Sequence, residues 1–242
     1  MSRFIDKLKQ LSQIESQPMG FRREKVYSKP RLMLVVEAGN SAAGLTLEGA
    51  DVVLVTDGTE NLPKKSDIPV GIRIYGGEID KLPEGIDFIV FQPDSPVFIA
   101  QGGKTGKVIA LEASMELDLL RSLDDLPLDA IVITREGMQF SEYVNWRYLM
   151  LCRRFATMSS KPVLASVSPQ ISRHELQLLW EVGVVGVVVS GLTAGGMKTL
   201  RSLIDELILP SKHQRQEIRA IVPKIGEETT SITDIEDDED YL

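Results

Sequence analysis

A closed (β/α)8 barrel is the fold this sequence predicts, and three observations predict it. Eight short apolar runs lie along the chain: Leu32 to Glu37, Val52 to Asp57, Val70 to Tyr75, Phe88 to Asp94, Val108 to Glu112, Ala130 to Glu136, Val163 to Ser168 and Val184 to Ser190. Runs that are apolar on consecutive residues are strands buried on both faces, which in water means a parallel sheet covered by helices. The length of 242 residues suits one such domain. The first six runs start only about 17 to 22 residues apart, leaving room for a turn or two of helix between them. A doubly wound parallel sheet also alternates strands and helices. Truncated helices would leave an open eight-stranded sheet half naked, whereas closure removes both edges.

Taken in order, the elements begin with an amphipathic helix over about residues 3 to 15, in which Phe4, Ile5, Leu8, Leu11 and Ile14 recur at helical spacing. A lid over the bottom of the barrel is its expected role, ahead of a contact with a membrane surface or a partner protein. A stretch containing Pro18, Arg22 and Arg23 leads to strand one. Between the early strands, 58–65 and 95–103 contain little that would hold a helix. Later helices are clearer: Tyr143 to Met158 puts Val144, Tyr148, Leu151, Cys152 and Phe155 on one face, and Met197 to Leu209 does the same with Leu200, Leu203, Ile204 and Leu207. Between them Ser172-Arg173-His174-Glu175 reads as a capping box opening a helix through Leu176, Leu179 and Trp180. The expected organisation is therefore 1–30 helix and linker, 31–210 barrel, and 211–242 polar linker and disordered acidic tail.

The net charge of -8 lies in one place. Residues 227 to 242 carry eight carboxylates and no Lys or Arg; without them 27 acids face 27 bases. A formally neutral body is not the footprint of a nucleic-acid binder. The tail buries too little apolar surface to fold and is a solubilising segment or a docking peptide for a protein partner. One cysteine, Cys152, excludes an internal disulfide and suits a reducing cytoplasm. The first residues, Met1-Ser2-Arg3-Phe4-Ile5-Asp6-Lys7, are charged where an export signal would be apolar, and the strand runs are far shorter than the roughly 20 apolar residues of a membrane span. A cytoplasmic protein with no membrane span is expected.

Function in such a barrel sits at the C-terminal ends of the strands. Those ends carry Glu37, Asp57, Asp94, Glu112 and Glu136, with Arg73 inside strand three. Converging carboxylates repel unless cations or protons intervene. Either a hard divalent ion such as Mg²⁺ or pairing with Arg73 and Arg135 would relieve them. Glu37, Asp57, Glu112, Glu136 and Arg73 are thus the candidate catalytic residues. A Schiff-base lysine is not expected, because Lys107 and Lys161 stand at strand starts. The two histidines, His174 and His213, are poor zinc ligands or bases by position, and Cys152 lies on an apolar helix face, where it packs.

The last strand runs through Ser190-Gly191-Leu192-Thr193-Ala194-Gly195-Gly196 toward a helix. Small residues let backbone N–H groups approach an anion, and a helix N-terminus adds partial positive charge. Here the chain resembles the aldolase-type TIM barrels, which hold a substrate or cofactor phosphate in the loops after strands seven and eight. The resemblance spans about residues 31 to 209. It implies a phosphate site from Ser190, Gly191, Thr193, Gly195 and Gly196, with Ser166 and Ser168 contributed by strand seven. The family's second glycine-rich turn is replaced by Ser166-Val167-Ser168-Pro169-Gln170. Three functions stay open: an enzyme or binding protein for a phosphorylated small molecule, a catalytically inactive barrel acting as a scaffold, and a flavin- or nucleotide-binding barrel.

Overall fold

Period-two alternation divides every strand between two environments, and the division explains the continuous apolar runs. The computed structural model describes residues 2–12, 31–39, 49–56, 67–75, 85–100, 105–112, 120, 122–135 and 143–207. Its strands are β1 (Met33–Ala38), β2 (Val52–Val55), β3 (Val70–Ile74), β4 (Phe88–Phe91), β5 (Gly106–Leu111), β6 (Ala130–Ile133), β7 (Val163–Val167) and β8 (Val184–Ser190). Met33, Val35, Leu54, Phe88, Val90, Val108, Ala110, Val132, Leu164 and Val188 form one interior cluster. The alternate residues, among them Leu34, Val36, Ile131, Ile133, Val187 and Val189, pack outward against the helices. Both sets are buried, so both had to be apolar.

The strands lie in sequential order, each parallel to the next, and β1 closes on β8 with Leu34 opposite Val187 and Glu37 opposite Ser190. The molecule is a closed eight-stranded parallel barrel, and the doubly wound alternative is excluded. Room in the narrow interior is allotted residue by residue. A Cβ on Gly71 would fall 2.2 Å from the Phe88 ring, so the aromatic ring occupies the space a side chain on β3 would need.

Helix α1 (Arg3–Ser12) covers the N-terminal end as expected. Phe4, Leu8 and Leu11 join the interior cluster, and the Phe4 ring stacks on Phe88 with centroids 4.2 Å apart. The expected continuation to residue 15 lies outside the described residues.

An aspartate stands immediately before β2, β4 and β6, and each clamps the strand preceding it. The N–H of Leu34 donates to Asp51 Oδ2 at 3.0 Å, that of Val70 to Asp87 Oδ2 at 2.9 Å, and that of Lys107 to Asp129 Oδ2 at 2.8 Å. In return the N–H of each aspartate donates to the C=O of the same residue, at 2.9, 2.8 and 2.8 Å. At the other ends of β2 and β6, Thr56 and Thr134 donate both N–H and Oγ1–H to the C=O of Ala38 and Leu111. The flanking pattern Asp-x4-Thr, seen in Asp51 to Thr56 and in Asp129 to Thr134, thus ties strand pairs at both ends.

The later helices are α2 (Trp146–Met158), α3 (Arg173–Glu181) and α4 (Ala194–Asp205). Helix α2 starts three residues later than the apolar spacing predicts, because the Asn145 side chain caps it by accepting from Tyr148 N. Helix α4 starts three residues earlier, because Thr193 caps it, and so Gly195 and Gly196 belong to its first turn rather than to a loop. The capping box of α3 is present in full, with Ser172 and Glu175 accepting from each other's backbone N–H. Of the segments expected to lack helix, 95–103 contains a 3-10 turn at Val97–Ala100, and 58–65 lies outside the described residues. No helix among the described residues is long and apolar enough to cross a membrane.

Candidate functional site

The parity that buries Met33 and Val35 carries Glu37 inward at the C-terminal mouth, and the same alternation carries Arg73 inward two residues beyond Gly71. The two side chains meet, with Arg73 Nε 2.8 Å from Glu37 Oε1. Arg73 is almost wholly enclosed, its side chain only 6% exposed, while Glu37 reaches the mouth at 16%. The Nε–H does not lie along the contact, so Arg73 Nε makes no aligned hydrogen bond. Attraction here is of charge for charge, in surroundings where each ion would be costly alone. The guanidinium also lies over the Tyr75 ring, 5.9 Å from its centre.

Glu112 follows β5 and is exposed. Asp57 and Glu136 lie outside the described residues. Arg135 follows β6, stands over the Tyr148 ring at 5.8 Å and donates to the Tyr143 carbonyl at 3.4 Å. Among the described residues no group of three or more His, Cys, Asp or Glu side chains could hold a metal ion.

Beyond β8 the chain turns at Gly191, whose φ of 71° is a backbone conformation that side-chain-bearing residues rarely adopt. Leu192 is buried and anchors the turn. Thr193 Oγ1 accepts from Gly196 N at 3.2 Å. The amides of Ala194 and Gly195 are among those that a helix leaves without an internal partner. A Cβ built on Gly195 meets nothing within 4 Å, so the backbone there faces open space. Ser190 is exposed and stands in register with Glu37.

The strand-seven serines behave differently from each other. Ser166 lies on β7, and its carbonyl accepts from the Tyr148 hydroxyl at 2.8 Å. Ser168 spends its side-chain oxygen on a local turn, accepting from Gln170 N at 3.3 Å, while its carbonyl accepts from Ile171 N. Tyr148 has a role beyond the apolar face its spacing predicts: its hydroxyl also lies 3.1 Å from the Ile133 carbonyl and so ties α2 to the ends of β6 and β7. Burial drives its phenol pKa well above the ordinary value. A hydroxyl-bearing residue in an otherwise apolar helix stripe is the one signal the sequence offers, since a buried phenol must find an acceptor.

Two groups are settled by their surroundings. Burial pushes the Cys152 thiol up to about 12, which keeps it protonated and bears out its packing role. Glu175 is pulled both ways. Burial would raise its carboxyl, but hydrogen bonds from the Ser172 hydroxyl and backbone and from Val144 N–H, with the charge of Arg135, hold it below the ordinary glutamate value. Through the 2.6 Å bond from Val144 N it fastens the approach to α2 onto the start of α3.

No protein-family model and no curated protein sequence matches this chain. Solved structures do. A mutant tryptophan synthase α-subunit from Pyrococcus furiosus aligns with a TM-score of 0.53 at 14% identity, over 73% of this chain and 98% of that one. A second mutant of the same subunit gives 0.52 at 15% identity, with the same shares covered. Orotidine 5′-phosphate decarboxylase from Pyrococcus horikoshii OT3 gives 0.51 at 8% identity, over 72% of this chain and all of that one. At such identities the likeness is one of fold, and it agrees with the eight-stranded ring of β1 to β8: the chain folds as a TIM barrel.

Proposed function

We propose that the C-terminal mouth binds a small molecule carrying a phosphate group. The phosphate would take the amides around Gly191, Ala194 and Gly195 at the start of α4, with Ser190 and Thr193 beside it and Ser166 and Ser168 on the neighbouring strand. The rest of the molecule would reach the Arg73–Glu37 pair. One observation carries this reading: Glu37, which holds the buried guanidinium, is the register partner of Ser190, the last residue before the turn into α4. An anion-favouring helix start and an enclosed ion pair are therefore neighbours across one strand pairing. Arg73 would orient a ligand oxygen, and Glu37 would accept a proton or hydrogen bond from a ligand hydroxyl. Asp57, Glu112 and Glu136 are further acids by which such a mouth would act on its ligand.

A thermal-shift series tests it, with inorganic phosphate, phosphorylated metabolites, nucleotides and flavins, each with and without Mg²⁺. A ligand at a hundred times its dissociation constant stabilises by about 2.7 kcal/mol. Chloride at matched ionic strength removes general salt effects. Gly195→Asp should abolish the response without harming the fold, because its new side chain enters open space and a carboxylate suits a first helical turn. An identical response in wild type and variant would mean that α4 starts with an ordinary turn. The scaffold reading would then stand, and it has an observation of its own in the solvent-facing Trp146 and Met150 of α2.

A further inference from the structure

Helix α2 presents to solvent a face that its own molecule leaves unmatched. Trp146 and Met150 are 74% and 64% exposed. Residues 146, 150 and 153 follow one another at helical spacing, as do 147, 150 and 154, so the stripe collects the exposed Trp146, Arg147 and Met150 with the half-buried Arg153 and Arg154 beside them. The opposite side, with Tyr148, Leu149, Cys152 and Phe155, is the buried one. The helix contains no acidic residue. None of its three arginine side chains has an ion pair or hydrogen bond to a described residue, and Arg154 Nε is enclosed without a hydrogen-bond partner.

We infer that this aromatic and cationic stripe is the docking site of the chain's own acidic segment, residues 227–242. Charge decides between the occupants. The segment holds eight carboxylates and no base, with Tyr241 and Leu242 as apolar groups at its end. A second copy laid face to face would set arginine against arginine, which is repulsive. Length permits the contact: from the last described residue, Leu207, some 28 residues lead to the Glu236–Asp240 cluster. A linker of that length, were it a random coil, would span about 30 Å on average. Tethering makes the encounter intramolecular, so that it needs little intrinsic affinity. Carboxylates would pair with Arg147, Arg153 and Arg154, while Tyr241 or Leu242 covers Trp146 and Met150.

The test uses the full chain and one of its two tryptophans. Trp180 is buried, so quenching by acrylamide, a neutral agent, reads Trp146; Trp146→Phe verifies that assignment. The comparison is with a full-length variant carrying E236Q, D237N, D238N, E239Q and D240N, which alters no described residue. Expected is a severalfold rise in quenching of Trp146 in this variant. Wild type should show the same rise at about 0.5 M salt, where exposed charges are screened, and so should R147E/R153E/R154E. Equal quenching in wild type and the neutralised variant at low salt would overturn the proposal. So would protection that vanishes on about hundredfold dilution, since an intramolecular contact is independent of concentration.

Discussion

Arg73 and Glu37 show how much one buried pair constrains what may be changed around it. Glu37→Gln leaves a guanidinium that cannot lose its charge inside the barrel, and is expected to cost about 3 kcal/mol. Arg73→Met should cost less, because Glu37 lies nearer the mouth and can hydrate. The double variant E37Q/R73M should recover most of the loss, as two neutral groups need no partner. Urea unfolding of the three variants measures this, and a double variant less stable than both singles would show that the pair's contribution is not electrostatic. Glu175 makes a pH-dependent contribution. Its carboxyl is held below the ordinary value in the fold, so its stabilisation is fully present above about pH 4.3, the unfolded glutamate value. It is lost as pH falls through the lowered folded value. Acid unfolding should accordingly be shallower in Glu175→Gln, with lower stability at neutral pH, where the charged capping bonds are weakened; parallel acid limbs in the two proteins would count against that assignment.

Among elements, the aspartates that open β2, β4 and β6 do the work of setting register. Each offers an N–H and a carboxylate to one residue of the preceding strand, so a slip by one position would break both bonds. Asp129→Ala should cost about 1–3 kcal/mol, by leaving the Lys107 N–H without its acceptor. Asp51→Ala should cost more. Its carboxylate also lies 2.6 Å from Arg31 and 2.9 Å from Arg201, and the Lys7 ammonium donates to its carbonyl. Its loss would leave clustered cations at the barrel's N-terminal end. Chemical denaturation ranks the two variants, and equal losses would mean that the cations contribute nothing. The strands themselves were readable from their runs to within a residue or two at most ends. The starts of α2 and α4 were not, because the side chains of Asn145 and Thr193 fixed them and apolar spacing cannot register a cap. Gly195 and Gly196 read as a loop for the same reason.

At the scale of the whole molecule, composition and period decided the architecture. Eight doubly buried runs with short connections leave a parallel barrel as the arrangement that covers every face and edge, and the sequence alone implied that α1 would cover one end. It also named Arg73 and the set of rim acids to which its partner belongs, since a cation on a strand buried on both faces requires a neutralising group nearby. Which acid would answer was beyond it. That choice rests on strand tilt and register, which bring β1 and β3 together across the interior while Glu112 is left exposed. The same holds for Ser190 beside Glu37 and for Tyr148 beneath the ends of β6 and β7: they are long-range juxtapositions, created when the ring closes. Local sequence determines whether a residue is buried and on which face of its element it lies. Only closure determines which buried residues meet, because contacts between distant segments depend on the shear of the whole sheet rather than on any one strand.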